Sequence, residues 1–216
     1  MNDWFGVCGG NIAILERKYI NLIVDNAQSF YAVPKGIGSF YSPRKFFGLP
    51  DGGLLISDKM LELKLTKDVS YERTAHLLKR YDLGASAGYD DFRVNDDLLL
   101  NQPIMEMSNL TRALMGNIDY GRVRQVRLEN FHHLHNEFSS INELVFDLDT
   151  IACPMVYPLL AKKTCGKNSK RLEYMSRVIG MIAAILCQKR HSLPICRNSF
   201  FLCRLTNAIE RKIWTE

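Results

Sequence analysis

The sequence predicts an α/β domain followed by a smaller α+β unit, on three observations. The run Asn21-Leu-Ile-Val-Asp25 is short, apolar and closed by a carboxylate, as a buried parallel strand is at its ligand-facing edge. Two more short β-prone segments, 37–41 and 54–57, are set off by Gly, Pro and Asp. From about residue 71 onward the apolar spacing changes from strand-like to helical.

Taken in order, residues 11–19 place Ile12, Leu15 and Tyr19 on one helical face, with Asn11 as the expected cap. The three strands follow. Tyr71, Ala75, Leu78 and Tyr81 predict one face of a second helix, residues 95–101 a polar turn, and residues 103–115 the start of another helical stretch. Past Asp119, the spacing of Val123, Val126, Phe131, Leu134 and Phe138 predicts a long amphipathic helix with Arg and Glu outward. Residues 144–148 and 155–160 read as two strands of the smaller unit. Three segments result: 1–115, 116–165 and a basic tail, 166–216.

Composition narrows the class. With 47% apolar, 24% charged and 10% aromatic residues over 216 positions, the chain is globular rather than disordered, fibrous or coiled-coil. The longest apolar run, at 178–187, is too short for the ~20 residues of a membrane span, and no secretory signal follows Met1. Six cysteines without regular spacing suit a reducing cytoplasm. Charge is divided unevenly: 18 Lys and Arg against 20 Asp and Glu through Gly166, then 10 against 3. His132, His133 and His135 have no carboxylate or thiol to complete a ligand set, so they read as a solvated helix face and no metal is expected. Phe46-Phe47 reads as core packing.

Three successive strand ends carry chemistry. Asp25-Asn-Ala-Gln28 closes the first, Ser39 to Lys45 follows the second, and Asp51-Gly-Gly53 precedes the third. A carboxylate, an amide, hydroxyls and an amine thus meet at one edge of an α/β sheet, where such folds bind ligands. Residue types alone do not name the ligand.

In combination these runs resemble the sugar aminotransferases of the DegT/DnrJ/StrS type. Asn21-Leu-Ile-Val-Asp25-Asn-Ala-Gln28-Ser-Phe30 is similar to that family's Asp-x-Ala-x-Ala strand. Ser39-Phe40-Tyr41 through Lys45-Phe46-Phe47-Gly48 and Asp51-Gly52-Gly53 is similar to its cofactor-lysine segment. The likeness continues through Asp68-Val-Ser-Tyr71-Glu-Arg73 and Asn101-Gln-Pro103 and ends near Pro154-Met-Val-Tyr157-Pro158-Leu159-Leu160.

The resemblance implies a fold-type-I large domain, incomplete here, and part of a small domain. It implies pyridoxal 5'-phosphate as cofactor and amino transfer from glutamate or glutamine to a keto-sugar nucleotide, in a homodimer serving polysaccharide or natural-product sugar synthesis. Lys45 would form the internal aldimine, which needs an amine that is not held as ammonium. Asp25 would keep the pyridine nitrogen protonated so that the ring accepts carbanion density. Gln28 would sit near the phenolic oxygen and Ser39 would donate to the phosphate. Most of the family has the serine one residue closer to the lysine, which makes Ser42 an equal candidate for the phosphate.

Both ends shape the remaining expectations. Family members extend well before the region matched, and the strand neighbours and phosphate-binding helix end supplied there are expected to be missing, leaving an exposed sheet edge. In a shifted reading frame with suitable codons, residues 202–216 can yield Leu-Pro-Ile-Asp-Gln-Arg-Tyr-Arg-Lys-Glu-Asp-Met-Asp-Arg, similar to the family's C-terminal segment. A frameshift between about residues 160 and 202 is therefore expected. The alternative to an enzyme is a catalytically inactive remnant of a disrupted aminotransferase gene. A lower alternative is a binder of nucleic acid or membrane through the stripe Leu172, Met175, Val178, Ile182 and Leu186 with its neighbouring basic residues.

Overall fold

The computed structural model describes residues 1–60, 62–84, 86–100, 102–160 and, as backbone, 200–204. The first helix, α1 (Gly9–Lys18), starts at Cys8 rather than at the expected Asn11, because Asn11 already lies inside its first turn. Ile12 of α1 packs with Leu22 and Val24 in a small core under the sheet.

That sheet has three strands, β1 (Ile23–Asn26), β2 (Gly38–Tyr41) and β3 (Leu54–Ser57), in that order. β1 and β2 run parallel, with Asp25 opposite Phe40, and β3 returns antiparallel, with Phe40 opposite Leu55. Together with the helices this makes a mixed α/β structure. Entry to β2 depends on Gly36 at φ 67°, where a Cβ would come 2.1 Å from the Leu22 carbonyl oxygen. The outer side of β1 is occupied: Asp25 N–H donates to Met1 O at 2.8 Å and Asp3 N–H to Asp25 O at 3.0 Å. The exposed edge is therefore β3, all four of whose residues are solvent-accessible.

Past β3 the structure departs from the sequence expectations in four places. Residues 103–108 are not helical, and the helix expected from 103 starts only at Asn109, after its Ser108 cap. α2 (Ala75–Leu83) buries His76, whereas Leu78 and Tyr81 face solvent and Tyr71 belongs to a separate 3-10 turn. An apolar stripe becomes a core face only where another element covers it. The expected polar turn at 95–101 is largely helix instead, since α3 spans Tyr89–Leu100. Its four aspartates do not break it: Asp90 and Asp91 sit in the first turn, where negative charge is favourable, and Asp91 and Asp96 are paired with Lys79 and Arg44. Residues 144–147 are not a strand. Leu144 N–H and Leu160 N–H both donate to Asn142 Oδ1, and Asn142 Nδ2 donates to Pro158 O, so a side chain fastens this stretch.

The remaining helices are α4 (Asn109–Gly116), capped by Ser108, and α5 (Tyr120–Phe138), capped by Asp119. α5 buries Val126, Phe131, Leu134 and Phe138, as its spacing predicts, together with Arg127. β4 (Val156–Leu160) pairs antiparallel with β5 (Phe200–Arg204), Leu160 opposite Phe200. The other residues of the basic tail, including the predicted stripe at 172–186, lie outside the described residues. His132 and His133 are exposed, while His135 stacks on Phe131. No described helix is long and apolar enough to cross a membrane.

Two cores support these elements. One joins α5 to β4 through Phe131, Leu134, Phe138, Tyr157 and Leu159. The other gathers Phe46, Phe47, Leu49 and Cys153 with the rings of Phe30, Tyr31 and Tyr120. It therefore bridges the expected boundary between residues 115 and 116.

Candidate functional site

Opposed residues of paired strands share a sheet face, and neighbours along a strand alternate. Val24, Asn26, Ser39 and Tyr41 are buried beneath the sheet. Asp25, Phe40 and Leu55 are on the other face with Ile23, and these three apolar side chains remain 44–46% exposed. A half-buried carboxylate is thus surrounded by open apolar surface. Its Oδ1 accepts Ala27 N–H at 2.9 Å, a turn-closing bond that orients the group. Oδ2 has no partner among the described residues.

β2 ends one pairing position beyond Asp25 and runs directly into a 3-10 turn, Pro43–Lys45. Proline at the first position fits the turn, and Phe46 N–H closes it on Pro43 O at 3.0 Å. Around Lys45 the chain is fixed. Phe46 and Phe47 are buried, and Arg127 of α5 donates to Phe46 O at 3.2 Å with its guanidinium 4.7 Å from the Phe46 ring centroid. The Lys45 side chain itself is exposed and makes no hydrogen bond or ion pair among the described residues. Ser42, half-buried at the head of the turn, has a hydroxyl likewise without a hydrogen bond.

The other two residues singled out by sequence are occupied. Ser39 is wholly buried on the face opposite Asp25; its Oγ accepts Lys35 N–H and donates to Lys35 O, each at 3.0 Å. Gln28 Oε1 accepts Phe5 N–H at 3.2 Å, so this amide ties the N-terminal segment to the turn after β1. The structure places Asp25 near the end of β1 and Ser42 and Lys45 just past the end of the adjacent β2, and it turns Ser39 away.

Sequence reasoning named Asp51, Asp68 and Arg73 but missed that they form one polar network behind the turn. Asp51 accepts from Arg73 Nη2 at 2.9 Å and from Thr111 Oγ1 at 2.5 Å, and Arg73 also pairs with Asp68. Ser70, Ser108 and Thr111 continue this buried network. Asp68 and Arg73 were visible only as part of a resemblance and Asp51 only as a strand-end residue; spacing alone does not bring residues 51, 68, 73 and 111 together.

A cleft of about 300 Å³ between α2 and α3 is lined in part by Arg73, His76, Lys79, Asp91 and Asn95. It includes none of the five residues singled out by sequence. Burial pushes the His76 imidazole below its ordinary pKa; Arg44 and Arg80 push the same way, and Asp91 and the Arg73 backbone oppose them. The unfolded chain therefore takes up a proton at about pH 6.5 that the folded imidazole still refuses. Stability contributed by neutral His76 is full above that pH and is lost as the pH falls toward the folded value. Urea midpoints measured between pH 7.5 and 5.5 are expected to fall less steeply for His76→Gln than for the wild type. Identical slopes would remove His76 as the cause.

No family model matches the chain, and neither does a curated protein or a solved structure.

Proposed function

We propose that this chain belongs with the fold-type-I aminotransferases that use pyridoxal phosphate on keto-sugar nucleotides, and that Lys45 and Asp25 are its cofactor-handling residues. One observation carries the reading. Two adjacent parallel strands end on the same side of the sheet, one offering a carboxylate oxygen and the other leading to a turn with an amine, neither of which has a partner among the described residues.

These residues fit the group chemically. When bound, pyridoxal phosphate supplies a carbonyl for an amine and a protonated ring that draws in the electrons of a carbanion. Lys45 Nζ would be the amine that holds that carbonyl, and the same nitrogen would be the group that takes up and returns a proton. Asp25 Oδ2 would be the acceptor that holds a protonated ring nitrogen. Ile23, Phe40 and Leu55 share the Asp25 sheet face and give the carboxylate an apolar surround. The Ser42 hydroxyl is the donor left for the phosphate.

A catalytically inactive remnant is the second reading, favoured by the full engagement of Ser39 on the opposite face. A cofactor titration separates the two. The proposal expects a visible absorption band on adding pyridoxal phosphate, a borohydride-trapped adduct located at Lys45 by peptide mass spectrometry, and loss of both in Lys45→Ala. Asp25→Asn should leave Lys45 reactive and weaken saturation. No Lys45-dependent band at high cofactor concentration overturns the enzymatic reading in favour of the remnant.

A further inference from the structure

One helix holds the lysine turn from both sides. Asp96 of α3 accepts from Arg44 Nη2 at 2.5 Å, immediately before Lys45. Asn95, the preceding residue of α3, donates from Nδ2 to Pro50 O at 2.8 Å, at the far end of the same loop. Between these two fastenings Phe46, Phe47 and Leu49 are buried, and only Lys45 and Gly48 are exposed.

The burial pattern of α3 argues that this grip is a main task of the helix. Phe92, Val94, Leu98 and Leu100 are 40–74% exposed, so the helix contributes little to an apolar core. Its one buried residue is Asn95, a polar side chain spent on the Pro50 carbonyl. A buried carbonyl that loses its donor is costly, which makes the Asn95 bond the stronger fastening. The Arg44–Asp96 pair, with side chains 24% and 43% exposed, is the weaker one.

We propose that α3 is a positioning element for Lys45, with Asn95 and Asp96 as positioning residues that fix the loop from Arg44 to Pro50 and leave the lysine free at its surface. The inference rests on the cofactor role of Lys45 proposed above. A side chain with four rotors reaches a bound carbonyl productively only if its backbone is held, so loosening the loop should weaken covalent capture of the cofactor.

The test uses the full chain with pyridoxal phosphate as probe and reads two quantities: hydrogen exchange of peptides covering 43–50, and the cofactor concentration that half-saturates the borohydride-trapped Lys45 adduct. Asn95→Leu removes the donor at similar volume and should raise both by about tenfold or more. Asp96→Asn should raise both by about two- to fivefold, and Asp96→Glu should return them to near wild type. Exchange across 120–138 serves as the folding check, and Asp96→Asn keeps the test decisive if Asn95→Leu fails it. Faster loop exchange with unchanged saturation makes α3 merely structural and overturns the proposal, as does unchanged exchange. A wild type without a Lys45-specific adduct overturns the cofactor reading and this one together, whereas an adduct indifferent to both variants overturns this one alone.

Discussion

Arg73→Met is expected to lower the free energy of unfolding by about 3–5 kcal/mol, a large share of the total for a domain of this size. The Arg73 side chain is 9% exposed and lies between two carboxylates, Asp51 at 6% and Asp68 at 12%. Methionine fills much of the same space but leaves two buried negative charges side by side with no cation. Asp51 would keep only the Thr111 hydroxyl, and Asp68 the neighbouring backbone N–H of Val69. Single changes at the carboxylates should cost less, because the guanidinium then retains one partner. The triple variant Arg73→Met/Asp51→Asn/Asp68→Asn should recover much of the loss, since the penalty comes from unpaired charge rather than from lost attraction. Urea denaturation reads this directly: the midpoint should fall in Arg73→Met and rise again in the triple variant at constant slope. Equal midpoints for wild type and Arg73→Met would mean that the pair sits in an effectively aqueous setting. The same network reaches α4 through Thr111, so the segment after the lysine loop loosens with it.

What the sequence disclosed, and what it hid, follows from the range of the interactions. β1, β2 and α5 were legible because their cues lie within a few residues: an apolar run ended by Asp25, and the spacing of Val126, Phe131, Leu134 and Phe138. α3 was hidden because Asp96, Asp97 and Asn95 read locally as turn formers; the pairing of Asp96 with Arg44 spans 52 residues. Asp90 and Asp91, in its first turn, favour the helix there, but they were not read as a start signal. Of the site, the positions of Asp25 and Lys45 at strand ends were readable. The face on which each side chain lies was not, because that depends on register. Pairing Val24 with Ser39 sends that serine beneath the sheet, where Lys35 uses its hydroxyl. Gln28 was hidden in the same way, its partner Phe5 lying 23 residues upstream.

Phe131→Ala is expected to cost about 3–5 kcal/mol, and to do so where the second unit meets the lysine loop. Phe131 is fully buried; Tyr157 and Phe146 meet it edge-on, with ring centroids at 5.1 and 5.7 Å, and His135 stacks on it at 6.2 Å. Truncation leaves a cavity that three rings, each held by its own neighbours, cannot close. Val145→Ala, at a side chain 95% exposed in the same loop as Phe146, should change stability by no more than about 0.5 kcal/mol and serves as the control. The consequence extends past the core because Arg127 sits one helical turn before Phe131 on α5. That arginine donates to Met155 O at 3.1 Å and to Phe46 O at 3.2 Å, and so connects the residue before β4 to the residue after Lys45. When α5 loses its anchor against Tyr157, the Arg127 contacts should loosen as well. Hydrogen exchange then has a distinctive pattern to find: faster exchange in peptides of α5 and β4, a smaller increase across 43–50, and none in α1. An increase confined to α5 would show that the two cores move independently, and that the lysine loop owes its rigidity to α3 alone.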